Sequence, residues 1–305
     1  MTVQLIYEGK DITQDIEIGK ADLTDNAGGQ LDSIDLLIND PKGLWSQWKP
    51  QKNHTVQLKE SGFDSGLMYV DEIGQQRGVV VIRALPVKQE AKTPNIKAWD
   101  KVRLLEIAQE LAGKQGLQLQ TFGAQNHYYE RVDQNGLADP EFLAWRCLLE
   151  GYALKVSGGK LIIYSEKYME GQIPVKTITP DDVDGNFDFK NRSTGIFGSC
   201  KISYQDIQYE FKAPGVFGPA LKYFDVAMAS LGEAERFAKG LLRAKNKFEQ
   251  TFICTVKLDP GIAAGNTISL KEFGLADGKY FAYQVIHRLS DEKTLLKLRK
   301  PLEGY

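Results

Sequence analysis

The clearest pattern of hydrophobic and polar positions lies in the last quarter of the chain, where a helical period changes to a strand period. Between residues 233 and 248, apolar side chains recur at the spacing of one helical face. After Phe248 the spacing becomes two, with Phe252, Cys254 and Val256 on one side of an extended segment. Three further strand patterns follow, separated by turns: residues 267–273, 279–289 and 294–299. This pattern predicts an amphipathic helix that straps an antiparallel meander closing as a barrel or sandwich.

A passage near the start of the chain repeats part of this pattern. Residues 55–73 align without a gap with residues 267–285, and the identical positions include two glycines in the turn, Gly62 with Gly274 and Gly66 with Gly278. The apolar positions also keep their places in the alternation. Although such a strand–turn–strand pattern also recurs by chance in β proteins, the match predicts an internal duplication, with two related β domains in one chain.

Between these two β regions the period becomes helical again. An apolar stripe runs from residue 104 to residue 112, and a second helix pattern begins at Asp139-Pro140, where Asp139 is expected as the N-cap and Pro140 as the first helical residue. A hairpin pattern follows around residues 157–159. Later, residues 212–220 contain two prolines and two glycines and are predicted to form a contact or assembly loop.

These patterns predict a mainly β fold with an α+β insert. We expect a first antiparallel β-barrel domain over residues 1–97 and a small α+β module of two helices and a hairpin over residues 98–166. A second antiparallel β-barrel domain would span residues 167–305, and each barrel would have an accompanying helix.

The composition indicates an ordinary soluble globular protein. The chain has 305 residues, of which 42% are hydrophobic and 26% charged, so it can bury two or three cores. Its formal net charge of −2 indicates neither binding to a nucleic acid nor binding to a cationic partner. No run approaches the roughly 18 apolar residues that span a bilayer, and the start of the chain has no signal-peptide pattern. With only three cysteines, far apart, we expect a cytoplasmic protein with buried thiols.

No set of residues in the sequence points to catalysis. Glycine-rich phosphate loops, the His-Glu-x-x-His zinc motif and the Gly-x-Ser-x-Gly nucleophile motif are all missing. His54, His127 and His287 are scattered along the chain, which argues against a zinc site. Cys147 lies on the apolar side of a predicted helix, where a packed thiol is favoured over a nucleophile. We therefore predict no enzyme activity and no catalytic, cofactor-binding or metal-binding residues.

Four features of the sequence each allow two interpretations, a favoured one and an alternative. The rings of Trp45 and Trp48 are predicted to cap one end of a barrel, and the alternative is that they stack on a glycan. His287 is predicted to be a surface or hydrogen-bonded histidine, and the alternative is a general base. The acidic turn at residues 181–184 favours a solvated turn over a calcium site, because the distant glutamate of an EF-hand loop is missing. The basic side of the 233–248 helix favours a solvated face over a site for an anionic partner.

Several motifs in the C-terminal region resemble a known family. They are Glu233-Ala234 in the helix, Pro260-Gly261 after a strand, the run Ala264-Gly265-Asn266-Thr267-Ile268, Phe273-Gly274, the run Asp277-Gly278-Lys279-Tyr280, and His287 at a strand end. This region resembles the phage late control protein D-like tail proteins. These are baseplate hub proteins of contractile tails, and they are related to the N-terminal part of type VI secretion spike proteins. The opening VQLIYEGKDIT and the segment KVRLLEIAQELAGKQGLQL are also similar to hub proteins.

The resemblance implies a structural function. Hubs of this family are trimers with two tube-like barrels per chain, and they join a six-fold tail tube to a three-fold central spike. The implied partners are two more copies of the chain, the tail tube protein, the central spike protein, other baseplate proteins and, as an optional partner, the tape measure protein. DNA or cargo would pass through the lumen without specific binding, and no membrane is implied.

The same resemblance implies assembly in the bacterial cytoplasm and a place in the baseplate of a virion or phage-tail-like particle. Spike and wall-degrading activities would then belong to other chains. Two alternatives stay open at the level of the sequence, a carbohydrate- or cell-wall-binding module and a peptidoglycan hydrolase associated with a tail.

Overall fold

The structure is a computed structural model that describes residues 3–60 and 62–305. Strands account for 47% of it and helices for 21%, and most strand pairs are antiparallel, which confirms the predicted mainly β class.

The strands, numbered in chain order, are β1 (Gln4–Tyr7), β2 (Lys10–Asp11), β3 (Glu17–Asn26), β4 (Ser33–Asn39), β5 (Thr55–Glu60), β6 (Phe63–Asp64), β7 (Met68–Gln76), β8 (Val79–Leu85), β9 (Pro94–Arg103), β10 (Gln118–Phe122), β11 (Tyr128–Ala138), β12 (Tyr152–Ser157), β13 (Lys160–Ser165), β14 (Lys176–Ile178), β15 (Asp188–Asn191), β16 (Ser199–Tyr204), β17 (Ile207–Lys212), β18 (Ala220–Phe224), β19 (Gln250–Lys257), β20 (Thr267–Leu270), β21 (Gly278–Arg288) and β22 (Lys293–Arg299). The helices are α1 (Leu44–Trp48), α2 (Leu104–Lys114), α3 (Asp139–Leu149), α4 (Glu166–Gly171) and α5 (Leu231–Asn246).

One large sheet runs through both β regions of the chain. Its strand order is β15-β19-β22-β21-β3-β4-β8-β7-β5-β1-β2, and β6, β14 and β20 pair at its sides. The two halves meet where residues 284–288 of β21 pair antiparallel with residues 22–26 of β3. We call this pairing the seam. Three smaller sheets, β10-β13-β12, β9-β11 and β17-β16-β18, lie outside the large one.

The large sheet contains the same strand unit twice. In the first half Thr55 lies opposite Tyr69 and Val56 opposite Met68. In the second half Thr267 lies opposite Phe281, and Ile268 lies opposite Tyr280. These pairs are equivalent in the gap-free alignment of residues 55–73 with residues 267–285, so the two hairpins have the same register.

A β-bulge falls at the same place in both units. Against β8, the register of β7 shifts between Val70 and Glu72. Against β22, the register of β21 shifts between Ala282 and Gln284, which are the aligned positions. A bulge adds one unpaired residue and bends the strand at a fixed point. Its recurrence at the same aligned position supports the duplication predicted from the sequence.

The equivalence extends to the strands on the other side of each bulge. Strand β4 pairs with β8, and β19 pairs with β22 in the matching register, so β4 corresponds to β19. Strand β3 pairs with β4 as β15 pairs with β19. The first unit is therefore β3-β4-β8-β7-β5, and the second is β15-β19-β22-β21-β20.

The buried apolar residues form three main cores. One lies within the first strand unit and a second within the other. The third core joins α2, α3 and α5 with the small sheets, and Phe142, Phe237 and Leu241 lie in it. The helix predicted at residues 233–248 thus packs in this central core, against α3 and the β17-β16-β18 sheet.

Some local predictions are corrected by the structure. The N-cap of α3 is Ala138, and Asp139 lies in the first helical turn, where its Oδ1 accepts a hydrogen bond from Gln134 Nε2 at 2.8 Å. The long β9-β11 pair had no prediction in the sequence, because its alternation is interrupted by charged residues on both strands. The limits of the three proposed domains stay predictions. Residue 97 lies inside β9, and residue 166 begins α4.

Candidate assembly interface

The three histidines lie apart, and each one contacts a hydroxyl group. The ring of His54 lies 2.7 Å from Tyr7 Oη and that of His127 lies 2.9 Å from Tyr152 Oη. His287 Nδ1 is 3.1 Å from Thr294 Oγ1. Only 3% of His287 is exposed, and its burial lowers its pKa, so of the two favoured roles it has the hydrogen-bonded one. Within residues 3–60 and 62–305, no three His, Cys, Asp or Glu residues are grouped to hold a metal ion.

The cysteines are packed thiols. All three, Cys147, Cys200 and Cys254, are buried and free. Burial raises the pKa of Cys147 far above its usual range and raises the pKa of Cys254 to about 12. A thiol that stays protonated is a poor nucleophile, so Cys147 has the packing role that its position on the helix indicated.

The two tryptophans at α1 do not form a shared stacking surface. Trp45 is 1% exposed and meets Tyr7 edge-on at 5.2 Å between ring centroids. Trp48 is 40% exposed and tilts against Trp45. Since the Trp45 ring is part of the core of the first strand unit, it cannot stack on a sugar ring at the surface.

The basic side of α5 is not a fully solvated face, and that prediction was wrong for its central residue. Arg243 is buried and forms ion pairs with Glu166 at 3.4 Å and with Glu170 at 2.5 Å. Arg299 and Lys247 join the same cluster. Burial alone would raise the pKa of Glu166, but the three surrounding cations lower it to about 2. The helix face is covered because α4 and the C-terminal residues fold over it.

A second buried ion cluster attaches the α+β module to both strand units. Lys155, on β12, contacts Asp25 and lies 2.8 Å from an oxygen of Asp32. The other oxygen of Asp25 accepts a hydrogen bond from the backbone N–H of Ala264 at 2.8 Å. Burial raises the pKa of Asp32 to about 6, against the opposing effect of Lys155. The cluster joins residues from three parts of the chain, so its role is structural.

The first and second strand units differ at their edges. The residues of the second unit at the seam, 284–288, are covered by β3. In the first unit the aligned residues begin at Glu72, and from Glu72 to Gly74 that edge of β7 carries no strand among the described residues. Strand β15, the counterpart of β3, likewise ends the large sheet in the described part of the chain. Open edges of this kind are sites where another strand can pair.

No family model matches the chain, and no curated protein matches its sequence. Solved structures do match it. The prophage MuSo2 43 kDa tail protein from Shewanella oneidensis is 12% identical and has a TM-score of 0.75, with 97% of each chain covered. The tail protein from Neisseria meningitidis MC58 is 14% identical, also with a TM-score of 0.75, over 98% of this chain and 96% of that one. The chain has the fold of phage tail proteins.

A component of a secretion system also matches the fold of the chain. The Escherichia coli c3393 protein is described as a component of the type VI secretion system with structural similarity to the T4 bacteriophage tail proteins gp27 and gp5. It is 9% identical, with a TM-score of 0.59, over 99% of this chain and 78% of that one. The resemblance indicated by the C-terminal motifs is therefore confirmed at the level of the fold.

Beside the open edges, the tail-protein fold carries exposed apolar side chains on its loops. Phe217, in the loop predicted to make contacts, is 94% exposed, and Leu275 and Ile173 are almost as exposed. No helix in the described ranges is long and apolar enough to cross a membrane. The sequence indicated the loop through its prolines and glycines, but it gave no signal for the two edges, which depend on strand pairing between distant residues.

Proposed function

We propose that the chain is a structural hub protein of a contractile injection machine, either a phage tail or a phage-tail-like particle. Three copies would join a six-fold tail tube to a three-fold central spike and form part of the channel. The observation that supports the proposal is that one chain holds the same strand unit twice, with equal registers and an aligned bulge. The tail-protein fold supports the same class of function.

The duplication explains how a trimer can match a hexameric tube. Two equivalent units in each of three copies give six units around one axis, although the true symmetry is three-fold. One face of such a ring can contact the six tube subunits, and the other can seat a three-fold spike. The function is then carried by interface geometry and needs no catalytic group.

The partners follow from this placement. They are two further copies of the chain, the tail tube protein, the central spike protein and other baseplate proteins, with the tape measure protein as an optional partner inside the channel. The net charge of −2 is compatible with a lumen that lets DNA or cargo pass, since rows of lysine and arginine would hold DNA by counterion release. Assembly in the bacterial cytoplasm and a place in the baseplate complete the proposal.

The mass of the purified chain in native mass spectrometry tests the proposal. We expect a species with three times the mass of one chain, either alone or after addition of the tube protein. A chain that stays monomeric at micromolar concentration, with and without tube protein, would contradict the trimeric hub.

A further inference from the structure

The seam within one chain shows how the two kinds of edge fit together. At the seam Gln284 lies opposite Asn26, and their side chains are hydrogen-bonded, with Gln284 Nε2 2.7 Å from Asn26 Oδ1. Val285, next along the strand, lies opposite Asp25 and is fully buried. The seam is thus a register-specific contact between β21 of the second unit and β3 of the first.

Each chain also has two edges that the seam does not cover, one on β7 and one on β15. The counterpart of Gln284 in the first unit is Glu72, and the counterpart of Asn26 in the second unit is Arg192, which directly follows β15. Asn26 is buried at the seam, whereas Arg192 and Glu72 are exposed. The same structural positions are therefore covered at one junction and open at the other.

We propose that β7 of one copy pairs antiparallel with β15 of a second copy, in the register of the seam. Glu72 would lie opposite Arg192, Ile73 opposite Asn191, and Gly74 opposite Lys190. The proposal deepens the proposed hub function, because it assigns the contact by which copies of the chain join. The partner is a second copy, since each chain has both of the edges that the seam leaves open, one on β7 and one on β15.

The side chains at the leading pair support this register. Where the seam has a hydrogen bond between two neutral amides, the contact between copies would place the carboxylate of Glu72 against the guanidinium of Arg192. Neither residue forms an ion pair with another residue in the described ranges. Opposite charges directly across an antiparallel pair stabilise it. A register shifted by one residue would set the half-buried Ile73 opposite a residue whose side chain belongs to the other face, and it would separate Glu72 from Arg192.

The proposed contact also closes a ring. Every copy has one open edge of each kind, so the contact is heterologous and passes from copy to copy until the last meets the first. Inside each copy the seam makes the equivalent junction. Three copies would therefore alternate three seams with three contacts between chains and form a continuous wall of six strand units.

Engineered disulfides in the full-length chain test the register. The variant E72C/R192C should form disulfides between copies after mild oxidation, and non-reducing gels should show covalent dimers and trimers. The matched control E72C/D188C places its second cysteine on the same exposed strand, four residues out of register, and should stay largely uncrosslinked. The native cysteines are buried and free, so they should not interfere.

The outcomes separate this inference from the hub function. If the native mass is that of a trimer but E72C/R192C crosslinks no better than the control, the proposed register is overturned and the hub function stands. If both variants and the unmodified chain are monomeric with and without tube protein, the hub function fails and the contact with it. Crosslinking confined to E72C/R192C in a trimer supports both.

Discussion

At the scale of single residues, the carboxylate of Glu166 is held by a buried cluster of cations. Arg243, Arg299 and Lys247 surround it in a buried site, and together they hold its pKa near 2. Removing one partner of a buried ion cluster leaves the others without compensation and costs more than a surface pair would. The cluster therefore ties α4 and α5 to strand β22 of the large sheet.

Glu166 predicts a specific loss of stability in acid. Its pKa in the folded protein is lowered to about 2 from the usual 4.5, so its stabilising effect is full above pH 4.5 and is lost as the pH falls toward 2. The shift corresponds to about 3 kcal/mol at neutral pH. We expect E166Q to lower the free energy of unfolding by about 3 to 5 kcal/mol at pH 7 and to flatten its decrease between pH 4.5 and pH 2.

Urea unfolding of the chain at several pH values measures this effect. The control is D188N, which removes an exposed carboxylate paired with Lys190 and should change the free energy of unfolding by less than about 1 kcal/mol. Equal acid sensitivity in E166Q and the unmodified chain would show that the Glu166 cluster does not contribute as described.

At the scale of elements, α5 depends on a close approach to the end of α3. A Cβ atom at Gly240 would lie 2.5 Å from the backbone oxygens of Leu148 and Leu149. Backbone atoms at that distance cannot move aside as a flexible side chain can. Gly240 therefore allows α5 to pack against α3, although glycine is a poor helix former.

The variant G240A should lower the free energy of unfolding by about 1 to 3 kcal/mol, because the clash exceeds the gain in helix propensity. The control is G232A in the first turn of the same helix, where the nearest atom to the new Cβ is 3.8 Å away. That change should be neutral or stabilise by up to about 1 kcal/mol. Thermal unfolding monitored by circular dichroism compares the two variants, and equal effects would contradict the packing argument.

The elements that the sequence predicts well are those with strong local periods. The 233–248 pattern corresponds to α5 (Leu231–Asn246), and the two hairpins with aligned glycines form with the same register. The buried position of Arg243 could not be predicted, because an arginine on a polar helix face has the same local pattern whether water or α4 covers it. The seam could not be predicted either, because neither segment's own sequence pattern indicates that residues 22–26 pair with residues 284–288.

At the scale of the whole molecule, two equivalent strand units share one sheet through the seam, and a helical core lies beside them. The seam covers one edge of each unit and leaves the complementary edges open. A chain with this arrangement can extend the same alternation to further copies, which connects the fold to the proposed ring.

The central claim is that three copies with two equivalent units each form a six-unit ring. End-on class averages of the purified assembly in the electron microscope test it most directly. The account predicts a ring with six similar lobes whose strict symmetry is three-fold. A ring with three lobes, or one in which the two strand units of a chain lie at different radii, would contradict it.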